Sequence, residues 1–376
     1  MLDFFSLKTE AFGLEITDSF VRLAQFKKNN GVVAGMICQS ASLPAGAVKD
    51  GEVLNQQLLA RAISRLAGSK KYRISAKYVV ASLPESKAFL EVIQMPRLTG
   101  IELRHAIVYE AENYIPLPIN KVYLDFEVIN NPQAPADHSD VLVVAMPRTT
   151  ADAYVLAIKA AGLKPLVFEP ESQAIIRSIV DKNQTSGSIL IIQIGDTKTN
   201  LIVYAANSPR FTFSIPISNS YFLERISKSL NISLERAEIL KATQGISTFD
   251  RGQAEPKKSS DKKMIFEAMI PGLVDFVQQT AKCLEYYKTH ASHEHGAGGE
   301  GRVGKVILCG SGANLKGLDE FVSLKLNTPV IVGDFRKSVD PEVLKSNAFW
   351  GDKISGNFDV AAGLALRALK EEHIDD

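Results

Sequence analysis

The sequence predicts an α/β protein made of two related domains, one of them interrupted by a smaller α/β module. Three observations predict it. The chain has 376 residues, more than one ordinary core accommodates. Its apolar residues switch repeatedly between alternation, the mark of strands, and spacing at three to four, the mark of helices. One pattern also occurs twice. GLEITDSFVRL (13–23) and IIQIGDTKTNL (191–201) each read as an apolar strand, a tight polar turn and a second apolar strand.

Composition narrows the function classes. Hydrophobic residues make up 45% and charged residues 23%, ordinary for a globular protein, and the net charge is +1. Such a balance offers no strong field for nucleic acid or an anionic membrane surface. No apolar run approaches the roughly 18 residues of a membrane span. The opening MLDFFSLKTE is too short and too mixed in charge for a signal peptide. Cys38, Cys283 and Cys309 lie far apart and form neither a disulfide framework nor a CxxC metal site. A reducing, cytoplasmic setting is expected.

The elements follow in order. Residues 12–26 form the first hairpin, and 31–43 continue it as a strand. NQQLLARAISRLAG (55–68) has helical spacing and ends on Gly68. AKYVVASLP (76–84) and AFLEVIQMP (88–96) read as strands. A helix is expected from Ile101 to Tyr114, capped by Thr99 or Gly100 and stopped by Pro116 and Pro118. Leu103, Ala106, Ile107 and Tyr114 make its apolar stripe. VYLDFEVI (122–129) and VLVVAMP (141–147) are strands, and a helix opened by Thr149 ends at Gly162. Residues 88–162 therefore read strand–helix–strand–strand–helix, a compact module between strands of a larger core.

A helix over 171–182 leads into the second hairpin, 188–207. Two helices follow, split near Asn231-Ile232-Ser233 with Ser233 as the second N-cap. Residues 250–263 are polar and aperiodic. A long helix runs from Met264 to His290, with Pro271 near its first turns. VGKVILCGSGANLKGLDEFV (303–322) is strand, glycine turn and helix, and DVAAGLALRAL (359–369) is a last helix.

Laying one hairpin on the other puts Glu15 on Gln193, Thr17 on Gly195, Asp18 on Asp196, Ser19 on Thr197 and Leu23 on Leu201. Two such turns can hold the β and γ phosphates of a nucleotide through backbone N–H and hydroxyl donors. Gly310 and Gly312 let a third backbone segment approach a ligand, beneath a purine. Each signal alone also reads as a plain turn or connection. Their order along the chain is what favours a nucleotide clamp.

At these residues the sequence resembles the type IV pilus assembly protein PilM family, actin-like proteins related to the division protein FtsA. AIVYEAENYIPLPINKVYLDFEVI (106–129) carries the most specific likeness. FGLEITDSFVRL, IQMP, VLVVAMPR, AAGLKPLVFEPESQAI, GDTKTNLIVY and CGSGANLKGL match in order, over nearly the whole chain. The resemblance implies an actin-like (ribonuclease H-like) two-lobed fold with an inserted PilM/FtsA-type small α/β subdomain. Residues 1–85 and 163–185 would form the first core and 86–162 the insertion. The second core would be 186–223 and 271–376, with a small helical lobe at 224–270.

It further implies a cytoplasmic scaffold of the inner-membrane pilus platform. Such a protein binds the N-terminal cytoplasmic tail of PilN in a groove between the first core and the insertion, meets other platform proteins, and touches the membrane only through partners. ATP or ADP would be a structural or regulatory ligand. The first hairpin would contribute Thr17, Asp18, Ser19 and Phe20 to it. The second would contribute Gly195, Asp196, Thr197, Lys198, Thr199 and Asn200. Glu238 and Lys241, which share a helix face, would meet the adenosine. Gly310, Ser311, Gly312 and Asn314 would supply the glycine loop, and Glu15, Asp18 and Asp196 are the candidates for Mg2+.

The chain departs from the family where aspartates are usual. Glu15 adds a methylene to the first, and Gln193 replaces the second with an amide that cannot order a magnesium water shell. Weak or absent hydrolysis is expected, and no residue is placed as a kinase base. The alternatives are an FtsA-like division protein, disfavoured by the acidic ending ALRALKEEHIDD, and an active ATPase. His290, His293 and His295 fit a loop better than a metal site, and EPKKSSDKK fits a solvated loop. Glu110 and Glu112, two apart on a helix, are not a catalytic pair.

Overall fold

A computed structural model of the chain describes residues 10–29, 32–70, 74–130, 138–181, 187–246, 260–290, 302–338, 349–351 and 358–371. They divide into two compact units. One comprises Met1–Gln184, Asn207–Arg210 and Asp334–Asp376, the other Thr185–Ala206 and Phe211–Gly333.

In the first unit, β1 (Ala11–Ile16) and β2 (Phe20–Asn29) form the expected hairpin, and β3 (Val32–Ser42) pairs with β2. A small hairpin follows, β4 (Val48–Lys49) and β5 (Glu52–Val53). Its two-residue loop, Asp50-Gly51, has φ of 50° and 78°, the primed-turn geometry that Asp-Gly favours. Then comes α1 (Gln56–Ala67), capped by Asn55 Oδ1, which accepts from Leu58 N at 3.0 Å. β6 (Tyr78–Leu83) lies parallel to β1.

The insertion holds β7 (Phe89–Pro96), α2 (Gly100–Ala111), β8 (Val122–Val128) and β9 (His138–Pro147), in the antiparallel order β7-β9-β8. It has its own core, with Ile93, Leu103, Ile107 and Val143. Tyr114, expected in the apolar stripe of α2, is 52% exposed. The fifth element expected in this module, α3 (Arg148–Ala160), belongs elsewhere. Its Tyr154, Ala157 and Ile158 are buried in one cluster with Leu59 and Ile63 of α1 and Phe12 of β1.

β10 (Lys164–Pro170), parallel to β6, and α4 (Glu171–Ile179) follow. The segment 334–376, expected in the second core, clusters with the first unit. Here β16 (Phe349–Gly351) pairs with β3, and α9 (Asp359–Glu371) packs on β1 and α4. Glycine makes this close docking possible: a methyl at Gly13 would overlap Ala361 and one at Gly363 would overlap Ala174. Glu169 on β10 then accepts from Arg177 of α4 at 2.6 Å and from Arg367 of α9 at 2.8 Å.

The second unit repeats the plan. β11 (Ser188–Ile194) and β12 (Thr199–Ala205) form a hairpin, and β13 (Ser208–Ile215) lies beside β12. β14 (Val303–Cys309) and β15 (Val330–Val332) add in parallel beyond β11. The order β15-β14-β11-β12-β13 thus reproduces β10-β6-β1-β2-β3 strand for strand. The helices are α5 (Asn219–Leu230), α6 (Leu234–Gln244), α7 (Ser260–His290) and α8 (Leu318–Leu326). Asn231 in the left-handed region ends α5, and Ser233 caps α6 as expected. Pro271 lies well inside α7 rather than near its start. Ile265, Met269, Leu273 and Phe276 share one core on both sides of it, so α7 crosses the boundary expected at 270/271.

None of the three cysteines is in a disulfide, and all three are buried. Among the described residues no helix is long and apolar enough to cross a membrane.

Candidate functional site

The two turns have the same backbone frame. Thr17 N donates to Phe20 O at 2.9 Å, and Gly195 N donates to Lys198 O at 2.9 Å. Their side chains then separate them. Thr17 Oγ1 accepts from Phe20 N at 2.9 Å and from Ser19 N at 3.3 Å, so two of the first turn's N–H groups are engaged within the turn. Asp18 is likewise committed. Its carboxylate accepts from Asp50 N at 2.8 Å and Gly51 N at 3.0 Å, tying the turn to the β4–β5 loop. Glu15 accepts from Arg22 Nη1 at 3.1 Å, with both side chains buried.

In the second turn Gly195 carries no side chain to imitate Thr17. A Cβ there would lie 2.9 Å from Lys198 O, so the tight turn itself selects glycine. Thr197 is half-buried and makes no hydrogen bond among the described residues. Thr199 Oγ1 donates to Ile217 O at 2.6 Å, and Asn200 Nδ2 donates to Gln193 Oε1 at 3.1 Å. Asn200 thus ties the two strands of the hairpin together, and Thr199 ties the hairpin to the segment after β13.

Around this turn the second unit gathers residues from four elements. Asp196 Oδ1 accepts from Ser311 Oγ at 3.0 Å, which joins the turn to the loop after β14. The first N–H groups of α5 reach the turn's carbonyls: Asn219 N to Gly195 O at 2.9 Å and Ser220 N to Asp196 O at 3.1 Å. Asn219 Oδ1 accepts from Lys241 Nζ of α6. Lys241 is buried; burial lowers its pKa, and Glu238 and Asp196 oppose that shift. Glu238 itself is exposed.

Asn219 escaped the sequence reading, although Ser-Asn-Ser before an apolar helix is an N-cap signal. Gly310 and Gly312, expected to approach a ligand, lie close against Ile194. A Cβ on Gly310, whose φ is +87°, would lie 2.5 Å from Ile194 O, and a methyl on Gly312 would overlap the Ile194 side chain. Asn314 is exposed at the end of the 3-10 turn Ser311–Asn314. Among the described residues no group of three or more His, Cys, Asp or Glu is arranged to hold a metal ion. His293 and His295 lie outside the described residues.

The sequence pattern of the family described as "Type IV pilus assembly protein PilM" matches residues 13–369. A solved "PilM-PilN type IV pilus biogenesis complex" is similar at 26% identity and a TM-score of 0.74, over 96% of this chain and 99% of that one. The ethanolamine utilization protein EutJ from Carboxydothermus hydrogenoformans has the same fold, with a TM-score of 0.53 at 15% identity over 94% of this chain and 88% of its own. The cell division protein FtsA of Helicobacter pylori (strain J99) is 26% identical over 172 residues, 41% of this chain. That match spans only 34% of the division protein's length. The architecture is thus the actin-like α/β fold with an inserted small subdomain. The chain belongs to the type IV pilus assembly protein PilM family.

Proposed function

We propose that this protein is a cytoplasmic scaffold of the pilus assembly platform that binds the N-terminal tail of PilN and holds ATP or ADP on its second unit. The likeness to the PilM-PilN complex, at a TM-score of 0.74, carries the partner reading. Features of the first unit support a docking strip for an extended peptide. β8 is an edge strand of the inserted sheet. Its Tyr123 is 46% exposed, with the Arg148 guanidinium 4.1 Å from its ring and its hydroxyl donating to Asp152 at 2.9 Å. One turn further along α3, Leu156 is 52% exposed. This strip runs from the insertion onto the first core, where the family's groove is expected. Membrane association and contact with other platform proteins would follow through PilN.

The nucleotide reading rests on the second turn. A buried lysine and a turn without a side chain at Gly195 converge there, and both favour an anion. Thr17, Asp18, Ser19 and Phe20 stay in the proposal on sequence order alone, because Thr17 and Asp18 are engaged within the protein. Magnesium wants carboxylates, phosphate oxygens and several waters in near-ideal octahedral geometry. Glu15 is paired with Arg22, Asp18 holds two backbone N–H groups, and Asp196 accepts from Ser311. These residues do not fit a magnesium site, and little or no hydrolysis is expected.

A pull-down with a synthetic N-terminal PilN tail, with and without ATP, tests the scaffold reading. Capture that Leu156→Asp abolishes supports it. Absence of capture in both conditions sinks it.

A further inference from the structure

We propose that the second unit takes its nucleotide as the metal-free anion, with the side-chain amide of Gln193 as a direct donor to a phosphate oxygen. The inference rests on the nucleotide reading above and specifies what that site recognises.

Gln193 lies two residues before Gly195 and is only 9% exposed. Its orientation is fixed by a chain of hydrogen bonds. Ser214 Oγ donates to Asn200 Oδ1 at 2.7 Å, which leaves the Asn200 amide nitrogen to donate to Gln193 Oε1 at 3.1 Å. The Gln193 carbonyl is thereby engaged by Asn200, which leaves its NH2 to other partners. The amide end lies beside the turn, with Nε2 3.4 Å and Oε1 3.6 Å from where a Cβ of Gly195 would be. Nε2 makes no hydrogen bond among the described residues.

A donor on a side chain this buried, with no protein partner, is placed to meet an incoming acceptor. An amide nitrogen carries donors only, so it selects a phosphate oxygen and offers nothing to a hard cation, which takes oxygen ligands. Lys241, drawn to the same turn by Asn219, adds positive charge. The Gln193 amide and the Lys241 ammonium thus bring two donors to the turn, beside the single carboxylate of Asp196.

The test is titration calorimetry of the full chain with ATP in EDTA and in excess MgCl2. The expected result is an affinity in EDTA equal to or higher than that in magnesium. An affinity weaker by about tenfold or more in EDTA overturns the inference, since it means the metal carries the phosphate contact. Gln193→Asp and Gln193→Glu are expected to lose about tenfold or more in EDTA, by repulsion between carboxylate and phosphate, and to recover in magnesium. Variants that bind ATP as the parent does in both buffers overturn it as well. Melting curves show which variant folds, and the parent comparison needs neither. If the parent binds no ATP in either buffer, the nucleotide reading fails and the inference with it. Magnesium-dependent binding sinks the inference alone.

Discussion

Asn200 donates to Gln193 at 3.1 Å across the second hairpin, at the register where Arg22 donates to Glu15 at 3.1 Å across the first. The cross-strand pair next to each turn is thus ionic in one repeat and neutral in the other. Both pairs are buried, and each is joined across its hairpin. The ion pair is the more fragile, because removing one charge strands its partner in a dry environment.

Glu15→Gln is therefore expected to destabilise the protein by about 3 kcal/mol in urea denaturation, since Arg22 keeps its charge without its counterion. The double variant Glu15→Gln/Arg22→Asn installs the neutral pair of the second hairpin. It is expected to recover more than half of that loss. A double variant no more stable than the single would mean that burial of Arg22 is not the source of the cost.

Asp18→Ala separates structure from ligand binding in the first turn. It leaves Asp50 N and Gly51 N without their charged acceptor, at a cost of about 1–3 kcal/mol. Under the reading that the second turn carries the phosphate, ATP affinity should change by less than about threefold once the variant is folded. A large loss of affinity with unchanged stability would return Asp18 to the ligand site.

The repeat was legible because a polar turn between alternating apolar strands is a local signal, and the register confirms each residue laid on its counterpart. The inserted module was legible for the same reason, as far as its three strands and one helix. What escaped was partner choice at long range. Nothing local in 349–371 says that β16 pairs with β3 or that α9 docks on β1. The small residues did hold a clue: Gly13 and Gly363 each leave room for a neighbouring backbone. Asp50-Gly51 carries the local signal of a tight hairpin. Gly310 and Gly312 show that a glycine can also mark a close approach inside the protein.

That intramolecular role makes its own prediction. Gly310→Ala forces a side chain into a left-handed backbone against Ile194 O, and should cost about 2 kcal/mol or more. Gly312→Ala, which meets Cγ2 and Cβ of Ile194, should cost less in an Ile194→Ala background, which removes that Cγ2, than in the parent. Denaturant midpoints of the parent, the three single variants and the double variant check both. An undiminished cost of Gly312→Ala in the Ile194→Ala background while the fold persists would locate the strain elsewhere.

Lys241 offers the sharpest separation of stability from binding. Burial lowers its pKa in the folded chain, so between that value and the ordinary lysine value the unfolded state holds one more proton. Stability should therefore rise with pH across that window, and the penalty is present in full below it. Lys241→Met removes the buried charge and keeps the apolar stem. At neutral pH the variant without nucleotide is expected to melt higher than the parent, with the gap closing as pH rises through the folded pKa of Lys241. Its ATP affinity should fall about tenfold or more, because a charged hydrogen bond is lost. The parent's ATP affinity should decline over the same rise in pH, and the variant's should not. A lysine kept only for structure would give the opposite pattern, with the variant melting lower and binding ATP as the parent does.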